Sequence, residues 1–198
     1  MNLPSIIGIS GNAQCGKDTF FKIAHGILKE QDTRAMRMAF ADAVKQDCHQ
    51  LLVKRSGISA FTDDVIQKQL IRPLLVAYGT DLMRKLDEDY WINRLKLSIE
   101  LSRHMKAISF ITDVRYENEA DWIHNDEEGL TIHIHKVGNK PANKEEKEQE
   151  SVLKDKADVS LTWKHVGEDN QNSLKRKVKF ALKKLETICE EKKLCKTS

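Results

Sequence analysis

The sequence predicts an α/β fold of three layers, in which a parallel five-stranded sheet has helices on both faces. Short β-branched runs alternate with longer amphipathic runs along the whole chain, and this is the pattern of parallel strands joined by crossover helices. The 198 residues are enough for one domain with a core of its own. No repeat and no linker divides them, so we expect a single domain over residues 1–198.

The first part of the chain begins with a strand at 5–10, which is short, β-branched and followed by a glycine. A helix is predicted over 17–29, because apolar residues recur there at helical spacing. A second strand is expected at 36–40, and a helix at about 41–53.

The middle of the chain is predicted to be helical. Thr62 is a suitable N-cap for a further helix. Pro73 either kinks that helix or lies in the first turn of a new one. Residues 82–105 are predicted to form another long helix.

Three more strands complete the predicted sheet. Residues 107–114 form the clearest buried strand, because they are mostly apolar and end next to an acid. A further strand is predicted at 130–137, and a weaker pattern indicates one at 158–163. A helix then runs to the end of the chain.

Composition excludes several classes of protein. Apolar residues make up 40% of the chain and charged residues 32%, which is typical of a globular protein rather than a disordered one. No run approaches the ~20 apolar residues that cross a bilayer, and we expect no secretory signal at the N-terminus. The cysteines show neither a C-x-x-C pair nor zinc-finger spacing, which indicates free thiols in a reducing cytosol. They are Cys15, Cys48, Cys189 and Cys195.

A glycine-rich segment between the first strand and the first helix has the G-x-x-x-x-G-K spacing of a P-loop. Its residues are Gly11, Asn12, Ala13, Gln14, Cys15, Gly16, Lys17, Asp18 and Thr19. Glycines let the backbone turn its N–H groups toward phosphate oxygens, and Lys17 adds a positive charge for the β- and γ-phosphates. Asp18 stands where most P-loops carry Ser or Thr for the metal, and Thr19 follows it. The segment therefore predicts an ATP-binding loop, in which Cys15 is a small loop residue rather than a nucleophile.

An acid and a cation follow one another at the end of the clearest strand. Asp113 is placed to hold the water shell of Mg²⁺ or to orient the attacking oxygen; the alternative is an ordinary helix cap. Arg115 lies two residues further on, where a guanidinium can bind phosphate through two parallel hydrogen bonds. This pair suits a metal and a phosphate better than it suits a core.

Two segments are distinguished by charge. Residues 138–155 are polar and include Pro141, so they form either a disordered loop or a mobile lid over a nucleotide. Residues 174–198 carry nine Lys or Arg and three Glu, and phosphate attraction could make such a tail a nucleic-acid contact. Its apolar residues recur at helical spacing, however, so the lysines are interpreted as the solvent face of an amphipathic helix. Nucleic acid is therefore not expected as a partner.

Four segments of the chain resemble the phage-type deoxynucleoside monophosphate kinases, a branch of the P-loop kinases. The first segment is 11–19 with its Gly-Lys-Asp-Thr ending. The others are Phe-Ala-Asp-Ala-Val-Lys at 40–45, Ala-Tyr-Gly-Thr-Asp-Leu at 77–82 with Asp-Tyr-Trp at 89–91, and Thr-Asp-Val-Arg at 112–115 with Glu119. The resemblance is thinner later, where Lys136 ends a strand at which the family tends to place Arg, and around Asp158. The phosphomevalonate kinases share the Gly-Lys-Asp ending.

This resemblance implies a three-layer P-loop kinase fold and transfer of the γ-phosphate of ATP to a deoxynucleoside monophosphate, with Mg²⁺ as cofactor. It implies a monophosphate-binding helical region at about 41–105, a lid at about 138–155, and a location in the cytoplasm, of the host if the protein is encoded by a phage. A homodimer is compatible with it, and a membrane is not expected as a partner.

The same resemblance implies roles for particular residues. Catalysis would use Lys17, Asp113 and Arg115, and the metal would be held by Thr19 and Asp113. The residues expected to contact the monophosphate are Val44, Lys45, Arg72, Gly79, Thr80, Trp91, Arg115 and Glu119. Trp91 either stacks on a base or belongs to the core, and Glu119 either binds a sugar hydroxyl or fixes Arg115.

Two other functions stay open at this point. One is a kinase of another small molecule, similar to the phosphomevalonate kinases. The other is a P-loop ATPase that acts on nucleic acid or on a protein through the basic C-terminal helix. Cations near the carboxyl end of the predicted sheet and the short lid favour the nucleotide kinase.

Overall fold

The computed structural model describes residues 1–139, 141, 144–164 and 171–197. The chain divides into two compact units. The first contains Met1–Met38 and Ile99–Ser198 and holds the sheet, whereas the second, Ala39–Ser98, is helical. Within the described residues, no helix is both long enough and apolar enough to cross a membrane.

The first unit is built on a parallel sheet whose five strands lie in the order β2-β3-β1-β4-β5, which confirms the predicted fold class. The strands are β1 Ile6–Ser10, β2 Arg34–Met38, β3 Ala107–Val114, β4 Leu130–Lys136 and β5 Val159–Trp163. The central strand β1 pairs with β3 on one side and with β4 on the other. Because the strands are parallel, their carboxyl ends meet at one edge of the sheet, where ligands of such folds bind.

Seven α-helices lie in the described part of the chain. They are α1 Lys17–Lys29, α2 Phe40–Ser56, α3 Val65–Val76, α4 Tyr90–His104, α5 Glu117–Asp121, α6 Lys144–Lys156 and α7 Gln171–Thr197, apart from a single helical turn at Arg84–Leu86. Two of them continue as π-helical turns: α3 into Ala77–Met83, and α5 into Trp122–Asp126.

Both faces of the sheet are covered. Ile7 of β1 packs in one cluster with Phe20 of α1 and Val178 of α7. Its neighbour Gly8 faces the opposite side, where Ile123 of the second π-helical segment lies 2.7 Å from the position that a Cβ would occupy. A larger residue at position 8 would push this segment off the sheet, so the glycine sets the spacing of that layer.

The second unit has a small core of its own. Cys48 and Leu52 of α2 pack with Ala60 and with Ile71 of α3. The N-terminus of α3 is capped by Asp64, whose carboxylate accepts the Gln67 N–H. The predicted cap, Thr62, is two residues too early; it donates its hydroxyl to the Gln67 side chain.

Several element boundaries differ from the prediction. β2 begins at Arg34 and ends at Met38, and α2 already begins at Phe40. Pro73 lies inside α3 without ending it. The predicted helix over 82–105 is interrupted, because Asp87 adopts an extended backbone conformation and α4 begins only at Tyr90.

The polar segment after β4 is largely helical. Residues Lys144–Lys156 form α6, whereas the sequence had left a choice between a disordered loop and a lid. Leu153 of this helix is buried, so packing of the helix against its surroundings supports a structure that the polar composition did not indicate. Residues 140 and 142–143 of the predicted lid lie outside the described residues.

Candidate functional site

The loop between β1 and α1 has the backbone of a phosphate cradle. Gly11 and Gly16 have φ angles of 132° and 100°, which favour glycine, and Gln14 also has a positive φ of 60°. Steric constraints also favour glycine at both positions. A Cβ on Gly11 would collide with the Ile134 carbonyl, and a Cβ on Gly16 would lie 2.9 Å from the Trp163 ring. The G-x-x-x-x-G spacing therefore reflects the shape of this loop and its close approach to β4 and β5.

Trp163, the last residue of β5, contacts the loop at Cys15 and Gly16. Its indole N–H donates to the Cys15 carbonyl oxygen at 2.7 Å, and the residue is only 2% exposed. The ring lies against Gly16 at the start of α1. The sequence analysis did not identify Trp163 as a site residue, because its partner lies 148 positions earlier in the chain.

The Lys17 side chain folds back over the loop. Its ammonium group donates to the carbonyl oxygens of Gly11 and Asn12, the latter at 2.9 Å. The Cys15 thiol lies 3.8 Å from the same ammonium, but burial raises the pKa of this thiol. A buried, protonated thiol is a poor nucleophile, which agrees with the prediction that Cys15 is a small loop residue.

The two residues after Lys17 face different surroundings. Asp18 accepts a hydrogen bond from the Arg37 guanidinium at 2.9 Å. Thr19 is exposed, and its hydroxyl has no partner among the described residues. Since Asp18 is engaged with Arg37, Thr19 is the better candidate for a metal ligand.

The end of β3 lies beside the start of the phosphate loop, since Val114 is in register with Ser10. Asp113 precedes this position and is buried, with 9% of its surface exposed. Arg115 follows it and is exposed, and no residue in the described part of the chain forms a hydrogen bond or ion pair with its guanidinium. The structure thus brings the predicted acid and cation to the same edge of the sheet as the loop.

Glu119 contacts the backbone of Arg115, which corresponds to the second of its two predicted roles. Its carboxylate accepts the backbone N–H groups of Arg115 and Tyr116, at 2.8 and 3.2 Å, and is only 3% exposed. These bonds cap the N-terminus of α5. Glu119 therefore fixes the backbone of Arg115, and its carboxylate does not pair with the guanidinium.

The oxygen donors near the loop suit magnesium. Thr19 offers a hydroxyl and Asp113 a carboxylate, and Mg²⁺ is commonly held by one or two protein oxygens together with waters and substrate phosphates. Among the described residues, no group of three or more His, Cys, Asp or Glu side chains is arranged to hold a metal ion.

In the second unit, Trp91 is part of the core. Its indole N–H donates to the Gly79 carbonyl oxygen at 2.9 Å, and the residue is 4% exposed. On the other side of Gly79, a Cβ would lie 3.1 Å from the methyl groups of Val44. A ring buried to this extent cannot stack on a base, so the structure replaces the stacking interpretation with a role in fixing the Gly79 turn.

The remaining predicted substrate residues of the second unit are more accessible. Lys45 is half-buried, 3.4 Å from the Asp42 carboxylate and 5.7 Å from the centre of the Phe61 ring. Arg72 is exposed on α3 and has no partner within the described residues. Thr80 is half-buried in the π-helical turns that follow α3.

The segment after β4 contacts the phosphate loop directly. The Ala13 N–H donates to the Glu146 carboxylate at 2.8 Å, and the Asn139 side-chain amide donates to the Ala13 carbonyl oxygen at 2.6 Å. Lys136 reaches the Gln14 carbonyl oxygen at 3.5 Å. The sequence analysis missed Asn139 and Glu146, since nothing in a polar segment indicates which side chain faces the loop.

A buried histidine lies beneath the site. His133 Nδ1 is 3.0 Å from the Ser10 hydroxyl, directly before the loop. Burial lowers the pKa of His133 to about 4, so the imidazole is neutral at physiological pH.

Comparison with known proteins gives two findings. The sequence profile of the deoxynucleotide monophosphate kinase family matches residues 35–159, more than half of the chain. The match begins after the phosphate loop. The structure is similar to that of dephospho-CoA kinase from Campylobacter jejuni, with a TM-score of 0.53 and 9% identity over 93% of this chain and 98% of that one; at this identity the likeness concerns the fold alone. No curated protein sequence matches the chain.

Proposed function

Because the chain belongs to the deoxynucleotide monophosphate kinase family, we propose that this kinase transfers the γ-phosphate of ATP to a deoxynucleoside 5′-monophosphate, giving a deoxynucleoside diphosphate and ADP. The main support is the Arg115 guanidinium beside the phosphate loop, which is exposed and has no partner among the described residues. A kinase that phosphorylates a monophosphate must hold this acceptor phosphate close to the γ-phosphate of ATP, and an exposed cation just after β3 suits that task.

On the donor side, the loop N–H groups and Lys17 would bind the ATP phosphates. Lys17 would exchange its contacts with the loop carbonyls for contacts with phosphate oxygens. Thr19 and Asp113 would hold Mg²⁺, which when bound withdraws charge from the β- and γ-phosphate oxygens. Trp163 and the two loop glycines would keep the backbone of the cradle in shape before ATP arrives.

On the acceptor side, we assign Arg115 to the monophosphate. Its backbone is fixed by Glu119 and its guanidinium is exposed, so it can hold the acceptor phosphate and neutralise charge as the phosphoryl group moves. Residues 41–105 are proposed as the monophosphate-binding region, where Lys45 and Arg72 supply further cations. Val44, Gly79 and Thr80 would shape the contact with the nucleoside.

Residues 1–198 are proposed to act as one P-loop kinase domain whose lid is the segment 138–155. The contacts of Asn139 and Glu146 with the loop support this role, because they place the segment at the mouth of the cradle. A lid that excludes water limits wasteful hydrolysis of ATP. The cytoplasm, where ATP and nucleotides are available, is the proposed location.

A coupled ADP-release assay tests the function. We expect turnover with at least one deoxynucleoside monophosphate, and little with phosphomevalonate or without an acceptor. If phosphomevalonate is the only acceptor that supports turnover, the proposed substrate class is wrong and phosphomevalonate takes its place. ADP release that depends on a polynucleotide rather than on a monophosphate would favour an ATPase acting on nucleic acid.

We also propose a homodimer in which α3 meets a second copy of the chain. Val65, Ile66 and Leu70 of α3 are 67%, 69% and 67% exposed, and pairing of two copies through α3 would remove these apolar side chains from water. Light scattering after gel filtration should give twice the chain mass. Leu70→Glu should give the monomer, whereas the same change at Leu97, which is equally exposed at 67% on α4, should not. A monomeric wild-type protein would contradict the proposal.

A further inference from the structure

A carboxylate lies on the phosphate loop. Glu146 of α6 accepts the Ala13 N–H at 2.8 Å. The loop N–H groups form a site that favours anions, and hydrogen bonds from N–H groups to an ionised acceptor are stronger than neutral ones. Glu146 is therefore an anion supplied by the protein itself in a loop whose proposed ligand is also an anion.

The carboxylate is held in this position by the rest of α6. Gln149 accepts the Glu117 N–H at 3.2 Å, and Lys156 pairs with Glu117 at 2.9 Å and also with Asp121. Leu153 is buried at 5% exposure. Both ends of α6 are thus tied, its last turn to α5 and its first turn to the loop.

A phosphate oxygen and the Glu146 carboxylate cannot both accept the Ala13 N–H in this geometry. The two anions would also repel each other at such short range, because little water separates them. A nucleotide polyphosphate that occupies the whole cradle must therefore displace Glu146, together with the first turn of α6. Asn139 donates to the Ala13 carbonyl oxygen, so it does not compete with a phosphate for the Ala13 N–H.

We propose that Glu146 is an internal competitor of the ATP phosphates, so that ATP binding releases the first turn of α6 from the loop. The inference rests on the proposed function, since that function makes ATP the competing anion. It assigns to Glu146 a role in nucleotide affinity: the carboxylate weakens ATP binding and couples the occupancy of the loop to the position of the lid.

The test is direct binding of ATP, and of inorganic tripolyphosphate, by isothermal titration calorimetry without any acceptor. Glu146→Gln keeps an acceptor oxygen but removes the charge. It should lower Kd for both ligands by about fivefold, the scale of one partly exposed charge interaction. Asp155→Asn removes an exposed acid from the last turn of the same helix and should leave Kd unchanged. Hydrogen exchange at the Ala13 amide of the ligand-free protein should be faster in Glu146→Ala than in the wild type.

The outcomes are distinguishable from those of the kinase assay. Unchanged or weaker ATP binding by Glu146→Gln would overturn the competition, because the carboxylate would then support the loop or bind the ligand. An equal gain of ATP affinity in Asp155→Asn would show that only the net charge of the protein matters, which would overturn the competition. Failure of wild type and both variants to bind ATP would overturn it as well. If ATP binds and Glu146→Gln gains affinity while no monophosphate is phosphorylated, the proposed function fails and the competition stands.

Discussion

Lys17 is the residue through which the loop would act on the transferred phosphate. Its ammonium bridges two loop carbonyls rather than packing in the core. Lys17→Ala should therefore lower kcat by about 10²-fold or more, the usual effect of losing a preorganised charge at the reacting group. Thermal unfolding should change little. Lys22→Ala, an exposed change on the same helix, is the matched control, and activity within a few-fold of wild type in Lys17→Ala would refute the loop assignment.

Arg115 is the residue expected to bridge the two substrates. An ion pair with Glu119 on the helix surface was the simpler alternative, but Glu119 instead binds the Arg115 N–H. Arg115→Lys keeps the charge and loses the planar fork, so kcat/KM for the monophosphate should fall by about tenfold or more, or about 1.4 kcal/mol. The affinity for ATP alone should hardly change.

The control for Arg115 is Arg176→Lys, because Arg176 is exposed on α7 and has no partner among the described residues. Steady-state kinetics with the monophosphate as the varied substrate would measure both variants. Wild-type values for Arg115→Lys would remove this residue from the site.

At the scale of elements, the sequence predicted those strands and helices whose apolar pattern is contained within the element itself. β3 and α1 have the predicted bounds, because an apolar run or an amphipathic period is complete within each of them. The phosphate loop was equally visible, since its shape requires glycine at two fixed positions. α6 was not predicted as a helix, because its packing depends on Leu153 and on contacts with α5 rather than on a periodic apolar face.

The parts of the site that sequence could not predict come from distant segments. Trp163 supports Cys15 from 148 positions away, and Glu146 reaches Ala13 from 133 positions away. Neither residue type marks a phosphate site by itself. For Trp91 the sequence left two roles open, stacking on a base or a place in the core, and its burial and its bond to Gly79 favour the core.

Helix α6 is the element expected to change with ligand. In the ligand-free protein, trypsin should cut after Lys147, an exposed residue in the first turn of α6. ATP together with a deoxynucleoside monophosphate should close the lid and slow this cut, whereas ATP alone, which frees Glu146, should not slow it. Mass spectrometry of the fragments would measure the rate of cleavage at Lys147 under both ligand conditions, with the exposed Lys183 of α7 as the reference site. Equal rates at Lys147 with and without both ligands would contradict a lid.

At the scale of the whole molecule, a buried histidine links folding to acid. His133 lies in the central layer of the sheet, 1% exposed and beside Ser10. Burial lowers the pKa of His133 to about 4; Lys154, His135 and Lys17 act in the same direction and Glu150 opposes them. The unfolded chain would protonate this imidazole near pH 6.5, so between the two values the unfolded state binds more protons than the folded state does.

The contribution of the neutral His133 to the free energy of unfolding is present in full above pH 6.5 and is lost as the pH falls toward 4. The whole loss amounts to about 3 kcal/mol. His133→Gln removes the titrating group, so its free energy of unfolding should fall less between pH 7 and 4.5 than that of the wild type. His104→Gln, a change at an exposed site at the end of α4, should keep the wild-type slope. Urea unfolding at several pH values measures the three slopes, and parallel curves for wild type and His133→Gln would show that His133 does not link the fold to pH.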